Sequence, residues 1–393
     1  MAHTALILVF LLTMPLGAQD DGAALMERLK GFRYGGDAAV LESVARWVSE
    51  SRADSARRHH AARALEAVAR SGAAFDARQF ALRQLVFVAG EEQVPALAAL
   101  IGDRDLGHYA LMVMARIPGP VVDAALLRVK PPARPDVRVG LITLLGERRI
   151  RPAVPLLASA LESSVSGAAD AAASALARIA SPEAVRVLRG AFARSTGPRR
   201  VMIAHALVES ADSLRGRGEA ASVAALCRLV DGGVQDGQVR AAALRGLVLT
   251  DPRNAVPLLA RALAEDGTPR QSMAADLART AGGSQATVGL RNHLPRLTAR
   301  GRALLLRALA ERGDPAAAPA ALAATRDPDP DVRAAALAAA GALGGAAAVP
   351  VLLEAAARPG PGRDAARVAL ARLRGGATDR ALLEILDTPS RPA

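Results

Sequence analysis

A segment of about 31 residues recurs along most of this chain, and a period of that length means stacked supersecondary units. Its marker reads Val-Pro-x-Leu and is complete at Val94, Val154, Val256 and Val349. Weaker copies begin at Ala124, Val185, Val223, Val288, Ala318 and Arg380. Consecutive starts lie 30 to 33 residues apart, except for a step of 38 residues between Val185 and Val223. A second marker keeps the same register. Sixteen residues ahead of the first marker stands Arg78, Arg138, Arg240, Arg302 or Arg333, and two residues earlier Asp76, Asp136 or Asp331. Leu82, Leu244, Leu306 and Leu337 lie twelve residues ahead.

Each unit reads as two helices. Asp331 to Gly345 is mostly Ala and Leu, strong helix formers. Asp329 suits an N-cap, Pro330 the first turn, and Asp331 the positive helix end. Gly344-Gly345 stops that helix. The second helix is expected to enter near Val349-Pro350 and to end near Pro359-Gly360, because first-turn N–H groups have no intrahelical partner for a proline to remove. Ser181-Pro182, Thr268-Pro269 and Asp314-Pro315 punctuate other units in the same way. No segment sustains the apolar–polar alternation of a half-buried strand.

The reading is therefore all-α: an α-solenoid superhelix of ten or so antiparallel helix-pair repeats. Residues 19–90 match the period less well and read as an N-terminal helical cap that includes the first helix of the first repeat. Residues 91–388 are the array, and 389–393 a short tail. Composition fits, since 51% of the chain is hydrophobic but only 2% aromatic, which suits close helix packing. The aromatics Phe32, Tyr34, Trp47, Phe75, Phe80, Phe87 and Tyr109 crowd the first third. Two roles are open to them: packing the core of the cap, which is the expectation, or forming a docking surface.

The string from Asp327 through Val332-Arg333 to Gly341, followed by Val349-Pro-Val-Leu-Leu-Glu354, resembles a HEAT repeat. It is similar to the short variety first associated with phycobilin lyases, and the resemblance runs from about Asp76 to Asp387. It implies that Asp136, Arg138, Asp331 and Arg333 tie neighbouring repeats together. It implies little about activity, because repeat arrays are contact surfaces more than chemistries. No His-Glu pairs of the kind used by di-iron HEAT-repeat hydroxylases occur, and HEAT-like DNA glycosylases act on a substrate that an exported protein would not meet.

The N-terminus reads as an export signal. Ala5 to Met14 has the length of a signal h-region, and Leu16-Gly17-Ala18 offers small residues for cleavage before Gln19. The expectation is loss of residues 1–18 and a periplasmic or secreted protein, with no integral membrane segment in the mature chain. Cys227 is the only cysteine, so no intramolecular disulfide exists. Its apolar neighbours predict a small buried residue.

The formal charge is +12, and all 50 basic residues except Lys30 and Lys130 are Arg. Between Asp276 and Glu311 there are no acids. Arg279, Arg291, Arg296, Arg300 and Arg307 are candidate partner-binding residues there, with Arg302 assigned to the repeat marker. They read either as an anion-binding patch or as a solvated basic face. The 38-residue step places its excess at Ser210 to Glu219. This predicts an extended polar loop carrying Arg215 and Arg217, either for recognition or as a tolerated insertion.

Catalytic signals are weak. No phosphate loop or Gly-x-Ser-x-Gly elbow occurs, His59 and His60 are adjacent, and His108, His205 and His293 stand alone. No cofactor or metal is expected. The expected function is an exported, non-catalytic protein-interaction scaffold. The alternative is a binder of polyanions, such as an acidic protein, a glycan, a lipid head group or nucleic acid; a lyase-type enzyme is more remote.

Overall fold

Ala, Leu and Val supply nearly all the buried side chains of this chain, and they are buried on helices. The structure, a computed structural model, describes residues 17–360 and 362–387. The export signal falls on residues 1–18, of which 1–16 lie outside the described residues, as does the tail 389–393. The described residues contain α-helices and short 3₁₀ turns but no strand.

The chain divides into two compact units, one ending at Ile179 and the other starting at Ala180. The first unit holds α1 (Gly17–Lys30), α2 (Ala39–Ser51), α3 (Ser55–Arg70), α4 (Phe75–Leu85) and α5 (Val94–Leu100). It continues with α6 (Gly107–Met114), α7 (Pro120–Arg128), α8 (Pro135–Glu147), α9 (Val154–Leu161) and α10 (Ala168–Ile179). The second unit opens with α11 (Pro182–Arg194), α12 (Gly197–Arg215), α13 (Ala220–Gly233), α14 (Gly237–Thr250) and α15 (Ala255–Leu263). Next come α16 (Pro269–Ala278), α17 (Ser284–His293), α18 (Ala299–Arg312) and α19 (Ala318–Ala324). The unit ends with α20 (Pro330–Leu343), α21 (Gly345–Ala357), α22 (Gly362–Arg372) and α23 (Gly376–Asp387).

All ten repeat markers fall on odd-numbered helices, from α5 to α23, and every ladder arginine read from the sequence falls on an even-numbered one. Even-numbered helices touch their even-numbered neighbours, as α6–α8–α10 and α14–α16–α18–α20–α22 do. Odd-numbered helices touch as well, as α5 with α7, α15 with α17 and α21 with α23. Each unit is thus two layers of helices with an apolar core between them, built from repeats that each lean on the next. Close approach needs small residues at the crossing points. A methyl on Gly146 of α8 would stand 2.5 Å from Ala175 Cα of α10.

The caps act as the sequence predicts. Asp329 accepts from the N–H groups of Asp331 and Val332 at 3.0 Å each. Ser181, Thr268 and Asp314 accept from Ala184, Gln271 and Ala316. One entry differs. In four units a 3₁₀ turn (Glu91–Gln93, Arg151–Ala153, Pro252–Asn254 or Pro315–Ala317) leads into the marker helix. The last complete Val-Pro marker has no such turn. There α21 begins at Gly345, whose φ of +51° turns the chain, and Pro350 sits inside the helix and not at its entry.

The aromatics of the first third do not fill the cap core. Met26, Leu29, Val40, Val44, Val48, Leu65 and Val68 do. Tyr34 is 93% exposed, Phe87 53% and Phe75 43%. Phe32, Trp47, Phe80 and Tyr109 are half-buried, packing beside the aliphatic core and not within it. Trp47 lies against Gly22 and meets the His60 ring edge-on at 6.1 Å.

Candidate binding surfaces

The marker arginines of the even-numbered layer are spent on holding loops and repeats together. Arg78 Nε donates to Ala69 O at 2.9 Å, and its Nη2 reaches Asp103 at 3.3 Å. Arg302 donates to Leu297 O at 2.9 Å and pairs with Asp327, Nε to Oδ2 2.9 Å. Arg240 donates to Asp231 O at 3.2 Å and lies 3.6 Å from Glu265. In each case one donor closes the loop ahead of its own helix and another takes an acid 25 residues later, at the entrance of the next repeat. Arg138 and Arg333 make only the local bonds, to Pro132 O and to Asp327 O and Pro328 O. The residues 25 positions on from these two are Ser163 and Arg358, which offer no carboxylate.

The implied role of the aspartates is therefore corrected. Asp136 does not bridge repeats itself. It grips Arg134 at 2.7 Å, and Arg134 crosses to Arg104 O at 2.8 Å. The Asp76 carboxylate accepts from Tyr34 N at 2.9 Å. The bridging acids are Asp103, Glu265 and Asp327. Burial raises the pKa of Asp103 and Asp327, but backbone N–H donors and the ladder arginines outweigh it, so both carboxyls sit below their usual value.

The marker offset passes over Arg270, which lies two residues out of register yet is the most enclosed charge of the ladder, 2% exposed. It reaches Asp231 at 3.1 Å and Glu265 in a shorter contact. Arg200 is missed for the same reason. It donates to Gly233 O at 2.7 Å and to Phe192 O at 2.9 Å, with its guanidinium 4.0 Å over the Phe192 ring. A second set stands ten residues after two ladder arginines. Arg148 donates to Ile117 O and Gly119 O and pairs with Asp123; Arg312 donates to Ala278, Ala281, Gly282 and Gly283 carbonyls. These guanidiniums tie down the turns that join α6 to α7 and α16 to α17.

The proposed anion patch shrinks accordingly. Arg279 is held by both acids that bound the acid-free run, Asp276 and Glu311, each at 3.1 Å. Arg291 donates to Ala316 O. Arg296, Arg300 and Arg307 are exposed. The last two lie seven residues apart on α18 and so share one face.

Arg215 and Arg217 do not ride on an extended loop. Ser210 to Arg215 continue α12, a helix of 19 residues, and only residues 216–219 link it to α13. Ser210 is fully buried and donates to Ala206 O at 2.9 Å; Ala211 and Leu214 are buried beside it. The polar composition hid a buried stripe at Leu207, Ser210, Ala211 and Leu214, which is helical spacing. Arg215 pairs with Asp212 at 3.2 Å, and Arg217 donates to Ala180 O at 2.9 Å.

Cys227 is fully buried, as expected. Burial, with lesser help from Asp212 and Asp231, pushes its thiol up to about 12. It is therefore a packing residue and not a nucleophile. Among the described residues no three His, Cys, Asp or Glu side chains gather as metal ligands, and no helix is long and apolar enough to cross a membrane.

One surface had no counterpart in the sequence reading. Helices α5 and α7 flank a groove of about 620 Å³ in the first unit. Pro95, Ala98, Ala99 and Gly102 line one side, Val121, Ala124 and Ala125 the other, and Arg128, Val129 and Lys130 one end. Val121 is 41% exposed. Nothing in the sequence marks this groove, since alanine and proline on an exposed helix face look like helix formers and entry signals.

Two stretches, residues 122–208 and 289–371, match the family model of HEAT repeats. Among solved structures, human deoxyhypusine hydroxylase in complex with glycerol is 20% identical, over 72% of this chain and 96% of that one, with a TM-score of 0.28. Kap121p is 12% identical over 94% of this chain and 51% of its own, with a TM-score of 0.49. Kap121p bound to Nup53p is 14% identical over 92% and 48%, with a TM-score of 0.47. The chain thus spans about half the length of the Kap121p chains. No curated protein matches the sequence. The matched stretches share their period, their paired helices and their arginine ladder with the units around them, and the chain carries HEAT repeats at residues 122–208 and 289–371.

Proposed function

We propose that this chain is a non-catalytic interaction scaffold, exported from the cytoplasm, that holds a protein partner on its helix pairs. The observation that carries the reading is the groove between α5 and α7. An apolar trough left open beside the exposed Arg128 and Lys130 marks a contact site, because exposed apolar area does nothing for the stability of the chain alone. The non-catalytic part rests on side-chain chemistry. The one cysteine is sealed and protonated, and the histidines are scattered. The export part rests on the apolar run Ala5–Met14 and the small residues Gly17 and Ala18.

A second reading is polyanion binding. The exposed face carrying Arg300 and Arg307, with Arg296 nearby in sequence, favours it. The immobilised protein lacking residues 1–18 is exposed to its own envelope fraction and washed with rising salt. A scaffold retains a defined protein at 0.3 M NaCl. A polyanion instead leaves steeply as salt rises, because each neutralised charge releases counterions. Retention of nucleic acid or glycan alone replaces the scaffold reading with the polyanion one, and retention of nothing removes both.

A further inference from the structure

We infer that the α5–α7 groove takes a short extended peptide whose aliphatic side chain lies in the trough and whose carboxylates meet Arg128 and Lys130; this rests on the scaffold reading above. The apolar part is set by the lining. Pro95, Ala98 and Ala99 recur at helical spacing along α5, with Gly102 just past its end, and Val121, Ala124, Ala125 and Arg128 along α7. These side chains are short, so the trough between the helices stays open to an inserted aliphatic group.

The acidic part is set by charge. Arg128 and Lys130 are the only charged residues of the lining, and both are exposed. Neither has a hydrogen bond or ion pair among the described residues, in a unit where most internal arginines are engaged. The nearby acids are already spoken for: Asp103 by Arg78 and Asp123 by Arg148. At the opposite end of α7 the Glu91 carboxylate lies against Gly119. The groove is therefore basic at the Lys130 end, with Glu91 beyond the other end of α7, which fixes the direction of an acidic peptide.

The size is set by α5. Seven residues of helix span about 10 Å. An extended chain covers that in roughly three or four residues. The proposed ligand is thus a small recognition element and not a second folded surface.

The test uses the protein without residues 1–18 and an array of peptides of the form Gly-Φ-x-Φ-Glu-Glu-Gly, with Φ either Val, Leu, Ile or Met. A matched array carries Lys-Lys in place of Glu-Glu. Two variants accompany it. Val121→Asp places a carboxylate in the trough at the first turn of α7, where the helix end tolerates an acid. The double variant Arg128→Ala with Lys130→Ala removes the basic end. Thermal melts establish that both fold.

Acidic peptides should bind in preference to the Lys-Lys array. The double variant should weaken the best of them by roughly fivefold or more, and Val121→Asp should abolish binding. Equal binding of both arrays, no binding at all, or unchanged binding to both variants overturns the assignment. Capture of the natural partner separates this failure from failure of the scaffold reading. A partner held equally well by both variants leaves the scaffold standing and removes this groove from it.

Discussion

Arginine is the structural residue of this molecule, and its planar fork explains why the ladder positions carry it and not lysine. One guanidinium can bond a carbonyl with one edge and a carboxylate with another, which a point-charge ammonium cannot do in fixed geometry. Arg270 shows the demand at its highest, enclosed between Asp231 and Glu265. Arg270→Ala leaves two mostly buried carboxylates with only Arg240 in reach, and should cost about 3 kcal/mol in urea denaturation. Arg270→Lys should recover little of that; full recovery would show that charge alone suffices. The ladder also gives stability a pH signature. Asp103 and Asp327 have pKa values lowered in the folded state, so their contribution is present at neutral pH. It is lost as pH falls through the ordinary aspartate value of about 3.9 toward the folded one. Tm should therefore drop between about pH 5 and pH 3, and Asp327→Asn should show a smaller drop over that window. Cys227 belongs to the same scale. With its thiol sealed and raised to about 12, it should label with a thiol reagent only as fast as the protein opens. Labelling as fast as in denaturant would show an exposed side chain.

At the scale of the helix, the period was legible because every repeat packs the same pair of helices against its neighbours, so similar residue types return at similar offsets. The offset of 25 from Arg78 to Asp103, Arg240 to Glu265 and Arg302 to Asp327 was equally present in the sequence, but bridges between units cannot be told from chance without coordinates. The clearest misreading was α12. Ser-Ala-Asp-Ser-Leu-Arg reads as loop by composition, yet Leu207, Ala211 and Leu214 keep the helical interval and all three are buried. Tertiary burial of one stripe overrode a polar average. This reverses the expected effect of shortening the segment. Deleting residues 210–216 removes Leu214 and Ala211 from the core, and should cost about 2–5 kcal/mol. By contrast Arg215→Ala, at an exposed site, should stay within about 0.5 kcal/mol. Arg217→Ala loses the bond to Ala180 O and should cost about 1 kcal/mol. A deletion variant as stable as the parent would return the segment to the status of a loop. The groove between α5 and α7 was illegible for a different reason: it is defined by what its helices lack.

For the whole molecule, the formal charge of +12 is unaffected by loss of residues 1–18, because that segment contains no Asp, Glu, Lys or Arg. The charge therefore stays with the repeats in either form, and two opposed electrostatic terms act on stability. Ladder pairs such as Arg302–Asp327, with side chains 22% and 12% exposed, lie close together and largely out of reach of mobile ions. Repulsion among the surplus arginines acts over longer distances and through water, where the Debye length shortens from about 30 Å at 0.01 M to about 8 Å at 0.15 M salt. Added salt should thus screen the repulsion more than the ladder, and Tm should rise between those two concentrations. The measurement is a melt followed by far-UV circular dichroism, whose signal should be almost wholly helical at the start. A Tm that falls with salt would mean that exposed pairs such as Arg279–Glu311 and Arg358–Glu354 carry more of the stability than the enclosed ladder does. The effect on stability would then run in the same direction as the loss of affinity expected for the proposed acidic peptide, and not against it.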